Sequence, residues 1–324
     1  MTRPPTDRER GFALIAVLLV LGFVGIIGAE FSYAMRLEAS AARVYKETLI
    51  ATHLAEAGLE QAIRELVADF AFVGLGDEKD TAKEGKEADD CPIVFYSRER
   101  LAIKRLPHKN VPLGGGEFSY CITDEEARLN LNITSPDRIS RLLETLGVER
   151  QDRDTIVDSL QDWRDPNEEH RLNGAESEDT YLKLPVPYRS KNGNLDSLSE
   201  MLQIKGVTTK LMDGQEDKPG LEALATVKSR GQVNINTARR EVLRALGLGD
   251  AEFSQIEQFR RQGPYPNVPG QFGGRGLGVT SRTFRIEALG LIDGQVRARL
   301  VAIVEKRTDA GGEGIAVIEW SGVR

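Results

Sequence analysis

The sequence predicts an α+β fold in which a long N-terminal helix lies on an antiparallel β-sheet and a large all-α segment is inserted into that sheet. Three observations predict it. Residues 12–68 lack proline and keep apolar residues at helical spacing; strand-like runs stand on either side of a gap of about 160 residues; and the gap is filled by repeated helix-and-glycine patterns. With 324 residues, 40% apolar and 29% charged, the chain can bury a sizeable core. Its 43 Lys and Arg against 50 Asp and Glu leave a net charge of -7, which argues against a chain that holds nucleic acid by its phosphates. Three histidines and two cysteines are too few for a zinc ribbon or a cysteine-held cluster, whereas a site built from oxygen ligands is open.

The first element begins with Arg3, Arg8 and Arg10 offset by Asp7 and Glu9, then runs without a charge from Phe12 to Ala29. As a helix this apolar run rises about 27 Å, close to the thickness of a hydrocarbon core, and the basic residues before it place the short tail in the cytoplasm. A discarded signal peptide would end at a small-x-small site. Gly28-Ala29-Glu30 forms a poor one, and the pattern carries on through Phe31, Met35, Leu37, Ala41, Val44, Leu49, Ala55, Leu59, Ala62, Ile63 and Leu66. One unbroken helix of about 85 Å is the simplest expectation.

Residues 76–90, GDEKDTAKEGKEADD, are expected to form a solvated loop. Ile93–Tyr96 and Phe118–Ile122 have the β-branched and aromatic content of strands, with Pro112 and Gly114–Gly116 as the loop between them. Three further strands are expected at Thr283–Ile292, Gln295–Glu305 and Gly314–Trp320, the first two joined around Asp293-Gly294, a strong hairpin signal. The amphipathic half of the long helix can cover one face of this sheet.

The segment between the sheet halves repeats internally. Leu129-Asn130-Leu131-Asn132-Ile133-Thr134 leads to Leu146-Gly147, and Val233-Asn234-Ile235-Asn236-Thr237 leads to Leu246-Gly247, each with a turn, an amphipathic helix and a glycine stop. A third helix-glycine-helix lies around Gly206. These units resemble helix-hairpin-helix motifs, many of which bind DNA phosphates through backbone amides. Glu149 and Asp250 follow two of the hairpins, and an acid there repels phosphate, so packing is the expected role and no nucleic acid partner is expected. A membrane-anchored helix-hairpin-helix DNA-binding protein is the alternative function.

Residues 151–180 hold ten acids and three arginines. Within this window Asp162, Asp165, Asn167, Glu169, Glu176 and Asp179 concentrate hard oxygen ligands in a loop punctuated by Pro166 and Gly174. Calcium tolerates such irregular loops better than magnesium, although the EF-hand pattern is absent; the alternative is a solvated acidic face with Arg164 and Arg171 as counterions. No catalytic constellation is present: there is no Gly-x-Ser-x-Gly elbow, and His53, His108 and His170 stand beside no nucleophile. The run Gly273–Gly278 lacks the Lys-Ser/Thr of a phosphate loop and precedes a strand.

The leader ending Arg10-Gly11, followed by Phe12-Ala13-Leu14-Ile15-Ala16-Val17-Leu18-Leu19 and a helix through Glu56-Ala57-Gly58-Leu59-Glu60, resembles the class III leader of type IV pilins and pseudopilins. That resemblance implies cleavage after Gly11 by a prepilin peptidase, methylation of Phe12, and a retained anchor in which Phe12, Ala16, Leu19 and Phe23 face the membrane and neighbouring helices. Most members carry glutamate at the fifth mature position, where it pairs with the terminal amine of the subunit above; here that position is Ala16. A carboxylate without a partner is costly in lipid, and a subunit with none above it has no use for one. The chain is therefore similar to the K-type minor pseudopilins of type II secretion. This implies a pilin-like fold, a place at the pseudopilus tip with the I- and J-type minor pseudopilins, an inner-membrane anchor with a periplasmic head, and calcium in the inserted domain. In a periplasmic head Cys91 and Cys121 can form a disulfide worth about 3–4 kcal/mol in the chain-entropy model, the alternative being two buried thiols. The expected divisions are a leader at 1–11, a membrane segment at 12–29, the head at 30–128 and 251–324, and the insert at 129–250.

Overall fold

The computed structural model of the protein describes residues 7–76, 91–215, 218–309 and 312–323. Helix α1, Asp7–Val67, is unbroken over 61 residues. Its first part stands clear of the rest of the chain, and burial begins in earnest at Ala51. From there Ala51, Leu54, Ala55, Leu59, Ala62 and Leu66 follow the helical period and form one buried face.

That face lies on a five-stranded antiparallel sheet. Its strands are β4 (Val111–Leu113), β5 (Gly116–Asp124), β12 (Thr283–Ile292), β13 (Gln295–Asp309) and β14 (Gly312–Val323), in the order β14-β13-β12-β5-β4. The hairpin between β12 and β13 turns on Asp293 and Gly294, both at positive φ (52° and 72°), as a type I′ turn requires. Alternation along β12 sends Phe284, Ile286 and Ala288 toward α1, where they meet Ile122, Tyr120 and Phe118 of β5. Glycine makes the approach close enough: a Cβ on Gly290 would lie 1.9 Å from the Ala51 carbonyl oxygen.

A small sheet flanks this core, made of β1 (Phe72–Leu75), β2 (Ile93–Tyr96) and β3 (Ala102–Ile103). Cys91, just before β2, is joined to Cys121 of β5 by a disulfide with Cα atoms 5.3 Å apart. The charged stretch expected as a loop at 76–90 lies, after Gly76, outside the described residues. Pro112, expected in a loop, instead sits in β4, an edge strand that tolerates its missing N–H.

The insert occupies the chain between β5 and β12. Its helices are α2 (Pro136–Thr145), α3 (Arg150–Arg164), α4 (Thr209–Asp213), α5 (Leu221–Leu224), α6 (Arg240–Ala245) and α7 (Asp250–Arg260). Two-residue bridges tie them: β6 (Leu129–Asn130) runs parallel with β9 (Ala225–Thr226), β10 (Val233–Asn234) runs parallel with β11 (Leu277–Gly278), and β7 (Gly214–Gln215) pairs with β8 (Lys218–Pro219). The insert has its own core around Leu142, Leu160, Trp163, Leu243 and Ile256. Ile256, Tyr265, Phe272 and Leu277 belong to this core, so residues 251–279, expected in the head, are part of the insert. The reason is local: α7 is the second helix of the second hairpin, and its Ile256 is buried in the core that Val242 and Leu243 of α6 also enter.

Candidate functional site: assembly helix, junction and acidic loop

The apolar half of α1 is the most exposed hydrophobic surface of the protein. Phe12, Leu19 and Phe23 are exposed, as is the small Ala16 between them. An 18-residue window of this helix reaches a mean hydropathy of 2.5 with none of it buried, which is long and apolar enough to cross a membrane. Gly11 lies within the helix, and nothing is described of side chains at residues 1–11.

Where the chain leaves the head and returns to it, three acids are buried in a row. In β5 the inward phase is Phe118, Tyr120, Ile122 and then Asp124. Asp124 accepts hydrogen bonds from the Ser281 and Thr237 hydroxyls, the Asn234 amide and the Glu126 N–H. Glu126 accepts from the backbone N–H of Thr283 at 3.0 Å, from its hydroxyl at 3.0 Å and from the N–H of Arg282. Glu125, with no exposed surface, receives Arg128 at 2.8 Å and Arg285 at 2.7 Å on one oxygen. This tripeptide thus clamps the departing strand to the returning one and to the second repeat. Burial pushes the Asp124 carboxyl up, and burial with the neighbouring Asp124 charge pushes Glu126 up to about 7. Burial would also raise Glu125, but Arg128 and Arg285 outweigh it and hold it below the usual glutamate range. The triplet was not singled out in the sequence because it reads as surface charge; the signal was its phase, since Asp124 falls on the inward side of an alternating strand.

The internal repeat reuses the same bracket at its second asparagine. Asn132 accepts from the Leu195 N–H and donates to the carbonyls of Leu195 and Val227; Asn236 accepts from the Tyr265 N–H and donates to the carbonyls of Tyr265 and Val279. At the end of α3, Arg164 donates to the carbonyls of Leu131 and Asn132; at the end of α7, Arg260 donates to those of Ile235 and Ala238. Burial lowers both guanidinium groups, Arg260 to about 10. At the second hairpin Asp250 is held by Arg240 and Arg244, and the Gly249 N–H donates to Glu252. The amide that would meet a phosphate is occupied by an acid, so nothing supports DNA binding here.

The acidic loop does not draw its six flagged residues together. Asp162 is buried at the end of α3 and accepts from the Arg171 side chain at 2.6 Å and from the backbone of Arg171 and Ala175; Asp165 accepts from the same guanidinium at 2.7 Å. Asn167 accepts from the Glu169 N–H, and Asp179 accepts from the Glu176 N–H while lying 3.7 Å from His170. Glu176 is buried, accepts from the Ser190 hydroxyl on one oxygen, and has no hydrogen-bond partner on the other. Its pKa is raised by burial and by the charges of Glu168 and Asp162. Among the described residues no three His, Cys, Asp or Glu side chains converge on a point where a metal could sit. Arg171 supplies the positive charge at Asp162 and Asp165 instead.

Residues 124–215 match the family model for the type II secretion system (T2SS), protein K. Over 277 residues the chain is 29% identical to the type II secretion system protein K of Pectobacterium carotovorum subsp. carotovorum, covering 80% of this chain and 76% of that one. It is 28% identical over 264 residues to the corresponding protein of Klebsiella pneumoniae, covering 77% and 73%. A chain in the crystal structure of the GspK-GspI-GspJ complex from the enterotoxigenic Escherichia coli type 2 secretion system superposes with a TM-score of 0.58 at 18% identity, over 88% of this chain and 99% of that chain, so the fold is shared. The matched insert, the extended sequence similarity and the common architecture together make this chain similar to type II secretion system protein K over most of its length.

Proposed function

We propose that this protein acts as a minor pseudopilin that caps the tip of the type II secretion pseudopilus and helps start its assembly. The observation that carries this is α1: one continuous helix whose exposed apolar half begins just after Gly11 and whose other half is fixed to the head sheet. Cleavage after Gly11 by a prepilin peptidase leaves Phe12 as a methylated N-terminus, and the helix anchors the protein in the inner membrane with the head in the periplasm. Its partners are the I- and J-type minor pseudopilins, in keeping with the GspK-GspI-GspJ complex whose fold it shares. The role is mechanical and involves no catalysis by this chain. Mass spectrometry of protein purified from membranes tests it: a methylated Phe12 start is expected, and a start at Glu30 would mark a discarded signal and end the proposal. Loss of secretion on deletion, restored by the wild-type chain and not by one lacking residues 12–29, is expected in parallel.

Calcium in the acidic loop is part of the same proposal. The unpartnered, buried oxygen of Glu176 supports a cation nearby, while Arg171 already neutralises Asp162 and Asp165. Calcium should raise the melting temperature and a chelator lower it; a melting temperature indifferent to both would remove the metal and leave Arg171 to neutralise Asp162 and Asp165.

A further inference from the structure

The chain leaves the head and returns to it side by side. The outward crossing is Asp124–Arg128 and the inward one Ser281–Phe284, and Asp124 stands opposite Phe284 on paired strands. The apolar cores on either side of the crossings are separate. Between the insert and the head sheet lies a cavity of about 570 Å³, with Arg128, Leu202, Arg285 and Glu319 in its walls. Away from the crossings, head and insert are tied by long side chains. Among them are Arg230 to Glu305 at 3.0 Å, Lys228 to Glu319 at 3.7 Å, and the Arg100 guanidinium 5.4 Å from the centre of the Phe259 ring. Partly exposed pairs of this kind resist motion weakly. Two neighbouring crossings beside a void have the geometry of a hinge.

The crossings are fastened to each other by two carboxylates that lack a counter-charge. Asp124 and Glu126 are buried, and the groups that donate to them are uncharged: the hydroxyls of Thr237, Ser281 and Thr283, the Asn234 amide, and the backbone N–H groups of Glu126, Arg282 and Thr283. The charged groups around them face other partners. Arg128 and Arg285 bind Glu125, Glu222 of α5 stands 3.9 Å from Arg285, Arg239 acts electrostatically on Arg128, and Arg282 is an exposed residue. A buried pair of carboxylates without a cation tolerates one charge far better than two.

We infer that the two crossings form a proton-dependent hinge between head and insert, held closed while one of the paired carboxylates is protonated and loosened when both are charged. In the closed joint Glu126 keeps its proton up to about 7, whereas a hydrated glutamate in the opened joint loses it near about pH 4.3. Between these values closing takes up a proton, so the opened fraction grows as pH rises and levels off above the window. This assignment does not depend on the tip position proposed above.

Hydrogen exchange of the full chain in neutral detergent, read by mass spectrometry, tests it. The reporters are the N–H groups of Glu126, Arg282 and Thr283, which donate to the two carboxylates. Their protection factors, in which the intrinsic pH dependence of exchange is already divided out, should fall about tenfold or more between about pH 5 and pH 8 in wild type and stay level in Glu126→Gln. At both pH values they should lie below those of Leu142 and Ile286 in the two cores, because a hinge opens with both cores intact. Wild-type protection that does not change with pH would overturn the assignment, whether or not the variant folds. A fall of the same size in folded Glu126→Gln would trace the change to other groups and overturn it as well. Protection at the crossings equal to that of the cores would mean that they part only on complete unfolding, which leaves no hinge.

Discussion

Glu126 holds its proton up to about pH 7 in the folded chain, whereas an unfolded glutamate loses it near about pH 4.3. Between those values the folded state binds more protons, so this group's contribution to stability is greatest at low pH and declines as pH rises through the window. Glu126→Gln keeps a carbonyl to accept from Thr283 and removes the titration. The variant should gain roughly 1–3 kcal/mol over wild type at pH 8 and little at pH 4, read by thermal melting. Glu125 behaves in the opposite sense: its depressed pKa gives stability above the ordinary glutamate range that is lost as pH falls through the folded value. At Gly290 the constraint is steric. A methyl group 1.9 Å from the Ala51 carbonyl cannot be accommodated without moving α1, so Gly290→Ala should cost at least about 2 kcal/mol and Gly290→Val more, measured by urea denaturation.

At the scale of elements, α1 joins an exposed apolar half to a half packed on the head sheet in one piece. In its apolar half, which is long and apolar enough to cross a membrane, Ala16→Glu would place a carboxylate that costs about 3 kcal/mol near a bilayer centre. Less tip complex should then be recovered by co-purification, while the head's melting temperature stays unchanged. In the insert, Asn132 and Asn236 each hold a helical hairpin to a returning strand. Asn236→Ala would strip a buried carbonyl pair and the Tyr265 N–H of their partner, and should cost about 2–3 kcal/mol in thermal melting. Long elements were legible because period accumulates over many residues: α1 and the strands around Asp293-Gly294 appear where their patterns place them. Short β3 and β4 offer too few residues for a pattern, and β4 is further disguised by Pro112. The Asn-x-Asn repeats were visible as sequence, but their bracket role depends on carbonyls that arrive from distant loops.

Over the whole molecule, the two cores divide the labour. The core of α1, β5, β12 and β13 fixes the direction of the helix, and the core of the insert supports the surfaces at the far end. The long apolar helix was readable because its uncharged run from Phe12 to Ala29 is local in the sequence. The cavity was not, since its walls come from Arg128, Leu202, Arg285 and Glu319, which only the return of the chain brings together. The acidic loop was legible in composition alone; that Arg171 would fold back onto Asp162 and Asp165 depends on the turn at Gly174, where a Cβ would collide with the Asp162 carboxylate.

Asp124 and Phe284 sit opposite each other on paired strands, so the excursion that makes up the insert begins and ends on adjoining rungs of one ladder. An interruption with that footprint leaves the pairing of the staves intact and asks only that the buried Asp124 keep its partners. It can be exchanged for a tight turn, or enlarged, while the pin and its ladder keep their alignment, which lets one stock chassis carry headgear of very different breadth.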